Sequence, residues 1–265
     1  MRPIEDYIEY INKTMKKAKN SNADIIMYAE EAFAIKKENK SLIIEEVSNL
    51  TKLYDIFVLL TIDIDHENDR YTNEAILISN NGTLLYNYQK QHLIPIMEKD
   101  YFKEKIEVRS QDTDLGKISV AICYDIDFPY YINYLSRDHF DLLLTPSWDW
   151  KAIAEMHSNL IKYRAIEGGF NLVKNTFNGI VISNDYKGRT LSYYIEKDLE
   201  DYFLISTVNK KGIKTLYSFI GFLFNYLFLL AFIIIIIFAI LKNRSDSNGR
   251  NDSSVEMKLN IDYED

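Results

Sequence analysis

Apolar positions along this chain recur with two periods, and the switches between them mark out its elements. From residue 7 to 20, beginning Tyr7-Ile8-Glu9-Tyr10-Ile11, the spacing is that of an amphipathic helix. Asp24-Ile25-Ile26-Met27-Tyr28-Ala29 then reads as a strand that ends at Glu30-Glu31. Helical spacing returns from Glu45 to Leu53, and Asp55-Ile56-Phe57-Val58-Leu59-Leu60-Thr61 reads as a buried strand. Asn73 to Ser79 and Thr83 to Tyr88 flank Asn80-Asn81-Gly82, which predicts a hairpin. Further strands are expected at 117–122, 141–145, 171–175, 179–185 and 203–208, with a helix at 152–168 between two of them. Strands and helices interleave, so the fold class is α/β with a mixed sheet.

The pattern changes after Lys214. No charged residue occurs from Thr215 to Leu241, and the run closes on Ile233-Ile234-Ile235-Ile236-Ile237-Phe238-Ala239-Ile240. A bilayer core needs about 20 apolar residues in a helix. A single transmembrane helix is therefore expected at 215–241, in preference to a buried core helix. The remaining 242–265 is polar and rich in Ser, Asn and Asp, and is expected to be a disordered tail. Lys197, Lys210, Lys211 and Lys214 precede the span; Lys242, Arg244, Arg250 and Lys258 follow it. Positive charge thus leaves the orientation undecided. Met1-Arg2-Pro3-Ile4-Glu5-Asp6 has no apolar stretch of the kind a secretory signal carries.

Composition narrows the function. The 265 residues are 47% apolar and 26% charged with a net charge of −8, which suits one α/β domain plus an appendage and gives no basic footprint for nucleic acid. Four histidines, none closely spaced, and one cysteine leave no expected metal site, and no cofactor is implied. That cysteine, Cys123, follows the apolar run Ile118-Ser119-Val120-Ala121-Ile122. A lone cysteine cannot form an intrachain disulfide, so it either packs or reacts.

Two other ionisable side chains share its setting. Glu30 follows Ile25 to Tyr28, and Lys90 follows Tyr86-Asn87-Tyr88-Gln89. A thiol of pKa ~8.5 needs a base and a nearby cation to become a nucleophile. A carboxylate can take its proton, and an ammonium can stabilise the oxyanion of a tetrahedral intermediate. Singly, each residue also suits a strand end or the core.

The flanking residues resolve this by resemblance. Ile25 to Phe33 with Glu30, Lys90-Gln91-His92-Leu93-Ile94-Pro95-Ile96-Met97-Glu98, and Ile122-Cys123-Tyr124-Asp125-Ile126-Asp127-Phe128-Pro129 resemble the three signatures of the nitrilase (carbon–nitrogen hydrolase) superfamily. The likeness continues through Asp141 to Trp150, His157, Arg164 to Phe170, Asn178-Gly179 and Asp185 to Arg189. It implies an αββα sandwich of the nitrilase type over residues 1–210. Glu30 would be the general base, Lys90 the oxyanion stabiliser and Cys123 the nucleophile. Glu98 would help place the lysine, and the Tyr124 backbone N–H would join the oxyanion hole. Trp148 and Asp149 are candidates for lining and orienting the pocket, with core packing as the alternative for Trp148 and Trp150. His92 is expected to be a hydrogen-bonded scaffold residue, and Arg164 and Glu167 an i, i+3 pair. Tyr28-Ala29 stands where the family has Trp-Pro, Asp125 where it has Glu, and Met97 where Gly is common.

The span favours one branch. Bacterial apolipoprotein N-acyltransferases carry this domain ahead of a final transmembrane helix, with several spans before it. The resemblance implies a phospholipid acyl donor, an acyl-thioester, and the N-terminal amine of a lipoprotein as acceptor, with the domain on the extracytoplasmic side of the membrane. The family's opening strand and the multi-span bundle have no counterpart here. The chain is therefore expected to be the C-terminal part of a larger or split protein, working with a separate multi-span subunit, or a truncated reading frame. A membrane-anchored amidase acting on a small C–N bond, or an inactive binding relic, are the alternatives.

Overall fold

The computed structural model describes residues 2–66, 68–104, 110–195, 203–221 and 223–251. Its first sheet comprises β1 (Ile25–Met27), β2 (Phe33–Lys36), β3 (Phe57–Asp65), β4 (Tyr71–Ile78) and β5 (Leu84–Gln89). The order is β1-β3-β4-β5, with β2 also on β3. Strands β1 and β2 run parallel to β3, and β3-β4-β5 is an antiparallel meander whose second turn holds Gly82 at φ +81. The second sheet comprises β6 (Gln111–Thr113), β7 (Gly116–Val120), β8 (Leu142–Trp148), β9 (Asn171–Phe177), β10 (Ile180–Asn184) and β11 (Thr190–Ile195), ordered β11-β10-β9-β8-β7-β6 with β7-β8-β9 parallel.

The side-chain alternation of the strands builds three apolar layers. In β3, Val58, Leu60 and Ile62 face outward and pack with Ile11 and Met15 of α1 (Ile4–Asn20) and Ile43 and Val47 of α2 (Lys40–Tyr54). Leu59, between them, faces inward and joins Leu77, Tyr88, Val120 and Leu144 in the layer between the sheets. Leu143 and Leu172 of the second sheet meet Ile132 of α3 (Pro129–Ser136) and Ile161 of α4 (Ala154–Gly168) on the other outer face. This is the expected nitrilase-type αββα sandwich.

The topology places the strand ends. Two antiparallel steps return β5 to the direction of β3 and β1, so Glu30 and Lys90 leave the first sheet at the same end. Cys123 leaves the second sheet after β7, at the start of a 3-10 turn, Cys123–Asp127.

Several elements differ from the sequence-based expectations. Strands β2, β6 and β11 and helix α3 are additional. Phe203–Val208 has strand composition but joins no sheet among the described residues, because a strand exists only where a neighbour completes its ladder. The expected uninterrupted helix at 215–241 is divided. Helix α5 (Leu216–Ile220), capped by the Thr215 hydroxyl accepting from Ser218 N at 3.0 Å, belongs to the sandwich, where Asn133 donates to Tyr217 O at 3.0 Å. Gly221 then takes φ +51, a left-handed conformation that ends the helix. Helix α6 (Leu223–Asn251) starts a second compact unit, and its Leu223–Ser245 stretch is long and apolar enough to cross a membrane. The helix continues through Lys242–Asn251 instead of giving way to a disordered tail there, since propagation adds one hydrogen bond per residue and lysine and arginine are good helix formers. The rest of the tail, 252–265, lies outside the described residues, as does Lys197.

Candidate active site

The three strand-end residues meet. Lys90 Nζ donates to Glu30 Oε1 at 2.7 Å and to Glu98 Oε1 at 2.7 Å, all three being buried. The Cys123 thiol lies close enough to Glu30 and Lys90 to feel both charges. Its Sγ also reaches the Trp148 carbonyl at 3.8 Å. The two sheets are joined here, where Glu30 N donates to Ser147 O of β8 at 3.3 Å; within the first sheet, Ala29 O accepts from the Thr61 hydroxyl.

Backbone strain marks the nucleophile. Cys123 has φ +42, which an L residue with a side chain adopts at a cost of about 1–3 kcal/mol. Asp125, two residues on, holds the turn in place. Its buried carboxylate accepts from Ile122 N at 3.0 Å, Gln91 N at 3.1 Å, His92 N at 2.7 Å and the Tyr88 hydroxyl at 2.6 Å, and also meets His92 Nδ1 at 2.8 Å. One carboxylate thus ties the turn carrying Cys123 to the chain that follows Lys90. The shorter acid at this position is a structural hub. His92 also stacks on Phe128 and meets the Tyr130 hydroxyl at 2.9 Å, as a scaffold residue would. The Tyr124 N–H lies in the first turn of the 3-10 segment, where amides have no partner within the turn.

The electrostatics follow from one cation serving two carboxylates. Burial raises the Glu30 pKa, and the charge and hydrogen bond of Lys90 only partly reverse this. Burial and the Glu30 charge push the Cys123 thiol well above its usual range, with Lys90 opposing. Burial alone would lower Lys90, but Glu30, Cys123 and Glu98 raise it, so it stays an ammonium. At rest the sulfur is a neutral thiol beside the Glu30 carboxyl, an arrangement that allows the thiol proton to pass to Glu30 when the sulfur attacks a carbonyl.

The remaining predicted residues take different places. Trp148 is 47% exposed, its ring edge against Phe177 at 5.8 Å, and Trp150 is equally open; neither is a core residue. Asp149 is buried behind Trp148. It binds Lys174 Nζ and pairs with His157 Nδ1 at 2.7 Å, while His157 Nε2 lies 3.3 Å from Asp127 Oδ1 at the end of the nucleophile turn. Asp149 therefore braces the site and does not line it. Burial would raise its pKa, but His157 and Lys174 hold it below the usual carboxylate range. Arg164 pairs with Glu167 and donates from Nε to Ile126 O at 3.1 Å.

Sequence reasoning missed Asn73, Glu31, Asp63 and Lys174. Asn73 Nδ2 donates to Glu30 Oε1 at 2.8 Å and Glu31 Oε1 at 3.0 Å. Ligand atoms of Glu30, Glu31 and Glu98 lie within 4.8 Å of one another. The Lys90 ammonium already sits on Glu30 and Glu98, so it supplies the positive charge a metal would bring there.

Residues 9–209 match the carbon-nitrogen hydrolase family. A deaminated glutathione amidase of Dictyostelium discoideum is 31% identical over 144 residues, which is 49% of this chain and 50% of that protein. An apolipoprotein N-acyltransferase of Wigglesworthia glossinidia brevipalpis is 29% identical over 207 residues, 67% of this chain and 40% of that protein. The chain thus spans about half the length, or less, of these two curated relatives. Among solved structures, an amidase from Nesterenkonia sp. superposes with a TM-score of 0.64 at 16% identity, covering 72% of this chain and 80% of that one.

Proposed function

The chain belongs to the carbon–nitrogen hydrolase family, and from that premise we propose that it transfers an acyl group through a thioester on Cys123. The meeting of Glu30, Lys90 and Cys123 in one buried cluster carries this reading. Glu30 takes the thiol proton as sulfur attacks an ester or amide carbonyl. Lys90 and the Tyr124 N–H hold the oxyanion, and collapse expels an alcohol or amine that leaves with the proton from Glu30.

The donor is a phospholipid and the acceptor an N-terminal amine, as of a lipoprotein. The apolar Leu223–Ser245 helix supports a lipid donor, because a membrane-bound enzyme meets its donor in the bilayer. The N-acyltransferase relatives support the acceptor. The domain works on the extracytoplasmic side, and a multi-span subunit is its partner. Amidase relatives favour a second reading, in which water resolves the thioester of a small amide and α6 is only an anchor.

A radiolabelled phospholipid offered to the full chain in vesicles separates these readings. A hydroxylamine-labile fatty-acyl adduct on Cys123 supports acyl transfer. Turnover of small amides with no lipid adduct supports the amidase. Inertness toward both leaves a binding relic.

A further inference from the structure

Beside the Glu30-Lys90-Cys123 cluster lies a second acidic group that, among the described residues, has no cation of its own. Asp63 of β3 and Asn73 of β4 are direct cross-strand partners, so their side chains share one face of the sheet. Asn73 is 1% exposed, and its Nδ2 is committed to Glu30 and Glu31. Its Oδ1 is buried without a hydrogen-bond donor, and so is Oδ1 of Asp63. Glu31, held at φ +54, completes the wall, and the Tyr101 hydroxyl lies near both Glu31 and Asp63. Two orphan acceptors and the carboxylate bound by the Asn73 amide therefore lie side by side on this stretch of the sheet. The Lys90 charge does reach Glu31, but its ammonium is bound by Glu30 and Glu98. Glu31, Asp63 and Tyr101 are only partly buried, so the recess opens to solvent.

We propose that this recess, walled by Glu31, Asp63 and Asn73 Oδ1, binds the primary ammonium group of the acyl acceptor. An unpaired buried acceptor is costly, and an ammonium brings three donors and one positive charge on a single compact atom. The location suits delivery, because Glu31 lies within 4.8 Å of the ligand atoms of Glu30 and Glu98, next to the nucleophile.

The role of the recess in transfer rests on the acyl-transfer reading above. One ammonium proton passes to the Glu31 carboxylate. The freed amine attacks the thioester carbon, the C–N bond forms and the C–S bond breaks. A second nitrogen proton passes through Glu30 to the departing thiolate, restoring the thiol. Burial, followed by the charges of Glu30 and Asp63, pushes Glu31 to about 8. That lies in the range of a free α-ammonium, pKa ~7.7–8.0, and a bound ammonium stabilises the carboxylate form that takes the proton.

Isothermal titration of glycinamide into the full chain bearing Cys123→Ala, in micelles at neutral pH, tests the site without turnover. Saturable binding is expected, weakened at least about tenfold by Asp63→Asn or Glu31→Gln, with no binding of uncharged N-acetylglycinamide. Affinity should fall as Asp63, raised to about 6 by burial and facing Tyr101, Asp65 and Glu98, takes up a proton. Unchanged affinity in both variants, equal binding of the acetylated probe, or tighter binding of magnesium chloride at the same residues each overturns the proposal. The variants neutralise repelling acids, so a raised melting temperature verifies that they fold. Lipid labelling of Cys123 decides the acyl-transfer reading separately: amine binding without an adduct removes that reading and keeps the ammonium site.

Discussion

Two buried ionic clusters flank Cys123, and they differ in charge balance. On one side, a single ammonium, Lys90, faces Glu30 and Glu98, with Glu31 close by. On the other, Lys174 and His157 face Asp149 and Asp127. Burial alone would lower the His157 pKa, but the nearby Asp127 carboxylate and the hydrogen bond to Asp149 raise it, so two cations meet two carboxylates. The balanced cluster has no spare capacity to move a proton. It ties β8, β9, α4 and the far end of the nucleophile turn together. The unbalanced cluster has more carboxylates than cations, which is the condition the base role proposed for Glu30 requires. Charge balance, more than burial, separates the chemistry from the brace.

That contrast predicts opposite responses to neutralisation. Glu30→Gln should slow adduct formation on Cys123 by about 10²–10⁴-fold, the usual contribution of a general base, with melting temperature unchanged or higher. Lys174→Met should do the reverse. Removing one partner of a buried pair leaves an uncompensated charge and costs about 3–5 kcal/mol, read as a lower urea midpoint. A loss under about 1 kcal/mol for Lys174→Met would put both clusters in one class and sink the comparison.

His157→Gln sharpens it. The folded pKa of His157 lies above 6.5, so its stabilisation is fully present below the unfolded value and is lost as pH rises through the folded one. The variant should therefore be less stable than the unaltered chain by about 2 kcal/mol near pH 5.5, with the gap closing at alkaline pH. Paired denaturant titrations at the two ends of that range measure it. A gap that does not change with pH would mean that the imidazole packs without carrying charge.

The two clusters were unequally legible in the sequence. Glu30, Lys90 and Cys123 each follow a predicted strand, and a strand pattern that stops at an ionisable residue is visible in one dimension. The acceptor pair Asp63 and Asn73 is not, because it exists only through the register in which β3 meets β4. Lys174 reads as one polar residue within a strand until β8 is laid beside β9. Asp125 was noticed only as a shortened acid, although its contacts reach back to β5 and forward to the turn. Residues 203–208 show the converse error, in which the composition reads as a strand but no neighbouring strand pairs with it among the described residues.

The smallest expected effect probes the edge of the unbalanced cluster. Glu31 is raised from 4.5 to about 8 by burial and then by the charges of Glu30 and Asp63. A carboxyl whose folded pKa exceeds its unfolded one favours the folded state while it holds its proton. That contribution is complete below about 4.5 and is lost as pH rises through about 8. Glu31→Gln keeps the acceptor that Asn73 needs at Oε1 and removes the charge. The variant should match the unaltered chain near pH 4.5 and melt progressively higher as pH rises to 8.5, with roughly 2–4 °C gained for each kcal/mol. Differential scanning calorimetry of the full chain in micelles across that range reads the difference directly. A flat difference would mean that Glu31 ionises in the fold as it does in water, and its charge would then count fully in the surplus of that cluster.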